Sequence, residues 1–77
     1  MPKLKNPEKI IYEGWTVKDF AEELEPSVKM IMAGQSWRDP FKTKEELKIW
    51  VGENQSYYKK PIKEVVDYFA SKYNIHN

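Results

Sequence analysis

Side chains that could do chemistry are few and scattered along these 77 residues. The densest group is Asp19, Glu22, Glu23 and Glu25, and neighbouring carboxylates become general acids or bases when a pocket shifts one of them. Their spacing argues against that use. On a helix they avoid the face that carries Phe20 and Leu24, which leaves them in water, where such acids almost always sit. The one histidine, His76, stands next to the C-terminus in a segment expected to fray. There is no cysteine, hence no thiol nucleophile, disulfide or thiolate metal site. Zinc-type ligand spacing and an acidic calcium loop are both missing. Gly14, Gly34 and Gly52 stand singly and build no phosphate loop. The expectation is a non-enzymatic chain with no cofactor and no metal.

Binding is better served than catalysis. Tyr57-Tyr58-Lys59-Lys60-Pro61-Ile62-Lys63 joins three lysines to aromatics without an acid, a composition suited to phosphate backbones or single strands, although exposed lysines at a helix start read the same way. Trp15, Trp37 and Trp50 raise the question of a protein partner, since Trp is enriched at binding hot spots. Three in so short a chain are also what a small core needs.

The 13 Lys and Arg against 12 Asp and Glu give a net charge of +1, too balanced for attraction to nucleic acid or membrane through overall charge. Residues 1–34 hold five Lys and six acids, and 35–77 hold eight basic side chains and six acids. Ile10-Ile11-Tyr12 is the longest clearly apolar run, far short of a membrane span or signal core. A cytoplasmic, soluble protein with no membrane association is expected. A chain of this length removes only about 60% of its unfolded surface from water, so rings and aliphatic side chains must form one tight core.

The elements that would position these groups read as helices. Pro2 and Pro7 discourage regular structure at the start, so residues 1–15 are expected as an extended arm packed on the body. Ile10 to Tyr12 would anchor it, as a strand-like segment or a staple, with a turn at Gly14. Thr16 is a good N-cap with Asp19 at the third helical position, predicting a helix from Val17 to Leu24. Pro26 suits the first turn of a new helix, predicted to run to Ala33 and stop at Gly34. Residues 35–42 form a loop with Trp37 and Phe41 tucked back onto the helices. Thr43 and Glu46 make a capping box for a third helix from Lys44. A fourth carries the stripe Ile62, Val65, Val66, Phe69 and Tyr73, opened by Pro61 or kinked there after starting near Ser56. Residues 16–74 would thus be one helical domain and 75–77 a frayed tail.

Val17, Phe20, Ala21 and Leu24, followed by Val28, Ile31 and Met32 after the Glu25-Pro26 break, resemble a helix-turn-helix over about 19 residues. In that pattern Ala21 is the small residue, and Phe20, Leu24 and Ile31 match apolar positions. Glu25 stands where the turn usually has Gly, and Pro26 and Gly34 where apolar residues are expected. The resemblance implies DNA contact by the second helix. Residues 16–26 oppose it electrostatically, with one Lys against four acids.

The expected fold class is therefore all-α: a small bundle of about four short helices, with a helix-turn-helix-like pair near 17–33 and the N-terminal arm. Its interior would comprise Val17, Phe20, Leu24, Ile31, Leu47, Trp50, Val51, Val65, Val66 and Phe69. The expected function is a binding or regulatory module, DNA-binding as an accessory protein of a bacterial or phage operon. Lys29, Gln35, Arg38, Lys59, Lys60 and Lys63 are the candidate nucleic-acid contacts. The competing expectation is a protein-interaction or self-assembling module, docking a partner or forming a homodimer, with no nucleic-acid role.

Overall fold

Glu13 and Gly14 both take positive φ, 46° and 83°, as the primed two-residue hairpin turn requires. They fold the N-terminal arm back on itself. In the computed structural model, which describes residues 2–55 and 58–76, β1 (Ile10–Tyr12) pairs antiparallel with β2 (Trp15–Thr16). Tyr12 faces Trp15 and Ile10 faces Thr16, with a bulge between Ile10 and Tyr12 that turns Ile11 toward the core while both neighbours stay exposed.

The hairpin runs directly into α1 (Val17–Met32) and closes its open end. Thr16 Oγ1 accepts from the Asp19 amide at 3.2 Å, and the Asp19 carboxylate accepts from the Thr16 amide at 2.9 Å. The arm's carbonyls take two more first-turn amides, Val17 donating to Lys9 and Lys18 to Pro7. The arm is thus a cap for α1.

Two helices expected on either side of Pro26 are one. Pro26 lies inside α1 and is exposed, so the Glu22 carbonyl that loses its i+4 donor can turn to water and the proline ring meets no packed neighbour side. Meanwhile Val17, Phe20, Ala21, Leu24, Val28 and Ile31 stay on one buried face throughout. Breaking the helix would have pulled that stripe out of phase. The all-α four-helix bundle and its helix-turn-helix pair are therefore corrected to three helices and a two-stranded sheet among the described residues.

A Schellman stop ends α1: Gly34, at φ 75°, donates to Ile31, and Gln35 donates to Met30. The second helix, α2 (Lys44–Asn54), begins at the Thr43 cap, which accepts from Glu46 N–H at 3.1 Å. Glu46 reaches back to the Lys42 amide, one residue short of the expected box. The third, α3 (Lys63–Lys72), packs against both α1 and α2. It begins after Pro61; a start near Ser56 would lie outside the described residues, as does Tyr57 of the lysine-aromatic patch.

Nine of the ten expected interior residues are buried, and Trp50 is half-buried against them. Ala21, Val28, Phe41, Ile62, Ala70 and Ile75 complete the core. The expected frayed tail is seated instead, at least through His76. Asn74 at φ 56° makes a second Schellman stop, with Ile75 donating to Ala70 at 2.8 Å, and this turns Ile75 inward. His76 then bridges to Thr43, its carbonyl accepting from Lys44 N–H.

Polar contacts tie the helices at their ends. Asp67 on α3 holds Lys44 at 2.5 Å and Lys63 at 3.0 Å, and hydrogen bonding from Lys44 keeps its carboxyl below the usual range. Glu25 on α1 takes the Tyr73 hydroxyl and Lys72.

Candidate functional site

The six candidate contacts lie on the end of α1, the loop that follows it and the segment leading into α3. Gln35 contributes its backbone amide to the stop of α1, with its side chain exposed. Lys29 sits exposed on the last turn of α1, where a cation complements the helix dipole. Arg38 stacks its guanidinium 4.4 Å from the centroid of Phe41 and donates from Nε to the Asp39 carbonyl at 3.2 Å. Lys63 is held by Asp67, whose hydrogen bond raises the lysine's pKa. Lys59 and Lys60 are exposed on the segment that leads to α3.

Lys59 and Lys63 do border neighbouring clefts between α2 and α3, together with Lys44, Lys48 and Pro61. Glu45, Glu53 and Asp67 line the same clefts. Four cations against three acids leave little net field for phosphate.

The 35–42 loop carries a different signal. It leaves α1 through the Schellman stop and enters α2 through the Lys42–Glu46 and Thr43–Glu46 bonds. Between these, Phe41 is buried and meets Trp50 edge-on at 5.6 Å, with Arg38 over its ring. From this anchored loop Trp37 projects with 95% of its surface in water. Met30, on the last turn of α1, is also half exposed.

Sequence reasoning placed Trp37 against the helices with Phe41, and the structure separates the two. Phe41 alone fills the gap beside Trp50. A signal was present in the neighbours: Ser36, Arg38 and Asp39 surround Trp37 with polar side chains, whereas Phe41 precedes a capped amphipathic helix. Trp15 packs on Phe20 with ring centroids 5.1 Å apart, so of the three tryptophans only Trp37 stands clear of the core.

Among the described residues no group of three His, Cys, Asp or Glu side chains could hold a metal ion. Among the same described residues no helix is long and apolar enough to cross a membrane. No protein-family model, curated protein or solved structure matches the chain.

Proposed function

We propose that this chain is a non-enzymatic protein-binding module whose contact surface centres on Trp37. The observation that carries this reading is a large aromatic held in water by a loop fixed at both ends. An indole buries a large area at small entropic cost when its backbone is already ordered. Removing a Trp hot spot typically costs about 2 kcal/mol or more, roughly thirtyfold in Kd. Arg38 beside it offers donors for a polar rim.

The alternative, nucleic-acid binding, loses its two-helix motif with the continuity of α1 and retains Lys59 and Lys60 as exposed cations. Affinity capture from the source cells, followed by titration of the purified captured protein, tests the leading reading. Trp37→Ala should weaken binding about thirtyfold while leaving the unfolding midpoint unchanged, because the side chain touches little of its own fold. Equal affinity for the variant would reject it. A DNA duplex that binds more weakly as salt rises, and is lost with Lys59→Glu plus Lys60→Glu, would replace it with the nucleic-acid reading.

A further inference from the structure

The acids of residues 1–34 converge in the fold. Glu8, Glu13, Asp19, Glu22, Glu23 and Glu25, half of the chain's 12 acids, line two clefts that share Glu22. Lys18 is the one cation lining either cleft among the described residues. A chain with balanced overall charge therefore has a strongly acidic side.

The cleft between the arm, α1 and α3, about 570 Å³ in volume, is more than a charged surface. Leu4 and Pro7 of the arm and Pro26 of α1 give it apolar walls, and the Tyr68 ring of α3 adds an aromatic wall that also carries the Lys72 ammonium, 5.6 Å from its centroid. Its carboxylates differ in availability. Glu25 is engaged by Tyr73 and Lys72, whereas Glu8 and Glu22 make no ion pair or hydrogen bond among the described residues. Pro26 also withholds the usual helical donor from the Glu22 carbonyl, adding an acceptor beside the two carboxylates.

Apolar walls beside unengaged acceptors match one kind of occupant: a cation carried next to an apolar group. Arginine suits it best, because its fork can meet carboxylate and carbonyl oxygens together. Anionic surfaces, nucleic acid included, are repelled from this side. We infer that the cleft docks a basic segment of a partner protein, with Arg or Lys meeting Glu8 and Glu22 and an apolar neighbour lying on Leu4, Pro26 and Tyr68. This surface is separate from the Trp37 loop and does not depend on it.

A short peptide alternating Arg and Leu is the probe, titrated into the full chain while backbone amide resonances are followed. The amides of Leu4, Glu8, Glu22 and Tyr68 should shift together. Affinity should fall about tenfold in the Glu8→Gln, Glu22→Gln double variant, as for loss of close charge partners, and should weaken as salt rises. Both substitutions should leave the unfolding midpoint unchanged, and Trp37→Ala should leave peptide affinity unchanged. Equal binding of a Ser–Leu or Glu–Leu peptide, shifts confined to other surfaces, or unaltered affinity in the double variant would overturn the inference. So would light scattering that shows self-association abolished by the same two substitutions, since the occupant would then be a second copy of this chain.

Discussion

The Tyr73 hydroxyl donates to Glu25 Oε2 across 2.6 Å and joins the end of α3 to the middle of α1. Burial, followed by the hydrogen bond to Glu25 and its charge, pushes the phenol up to about 12 from its ordinary 10.0. The folded state therefore holds this proton more tightly than the unfolded chain does. Its stabilising effect is complete below pH 10.0 and is lost as pH climbs through about 12. Wild-type stability should fall across that window, measured by denaturant unfolding at stepped pH. Tyr73→Phe should flatten the fall, and an unchanged slope in the variant would reject the assignment.

Asp67 works in the opposite pH range. Hydrogen bonding from Lys44 lowers its pKa most; burial opposes this, and the Lys63 hydrogen bond and the charges of both lysines add to the lowering. The contribution is present above the ordinary value of 3.8 and disappears as pH falls through the lowered folded value. Asp67→Asn should cost about 1 kcal/mol at neutral pH, the upper end for partly exposed pairs. The difference from wild type should vanish in acid, as read by urea unfolding at both pH values.

Gln55 is the one buried polar side chain in the described core, 1% exposed. Its Nε2 donates to the Tyr58 and Lys60 carbonyls, holding the segment before α3 against the end of α2. Gly52 permits that approach, because a Cβ there would stand 3.1 Å from Pro61 Cδ and 3.4 Å from its backbone nitrogen. Gln55→Leu should destabilise the fold by about 1 kcal/mol, because two part-buried carbonyls lose their donor while the Gln55 Oε1, buried without a partner, is removed with it. Gly52→Ala should lose about 1 kcal/mol to overpacking against the rigid ring, despite the usual helical preference for Ala. Thermal unfolding distinguishes both from a harmless change.

Much of this architecture is legible in the sequence because it follows from local rules. The Thr16 and Thr43 caps, the stop at Gly34 and the apolar stripes of α1 and α3 each depend on residues within one or two turns. What escaped depends on distant context. A Pro inside a helix is tolerated when its face is solvated and its stripe remains in phase, and the spacing from Leu24 to Val28 and Ile31 held that information. Glu13 in a positive-φ turn is ambiguous until Tyr12 and Trp15 pair. The seated tail was signalled by Asn74 followed by apolar Ile75, an αL stop and its inward contact. At the candidate site, the polar neighbours Ser36, Arg38 and Asp39 marked Trp37 as the ring left in water, but that Phe41 rather than Trp37 meets Trp50 depends on where the loop lands on α2.

Pro26 offers the sharpest test of the one-helix reading. If Pro26 began a second helix, its missing amide would have been unpaired anyway, and alanine there would change stability little. Inside a continuous helix the same proline removes a hydrogen bond and crowds the Glu22 carbonyl, a disadvantage of about 3 kcal/mol relative to Ala. Pro26→Ala should therefore stabilise the protein, by about 2 kcal/mol once the greater freedom of its unfolded chain is allowed for. The unfolding midpoint should rise by several degrees, and the Pro26 position should gain a slowly exchanging amide bonded to Glu22. An unchanged midpoint with fast exchange at that amide would return α1 to two helices.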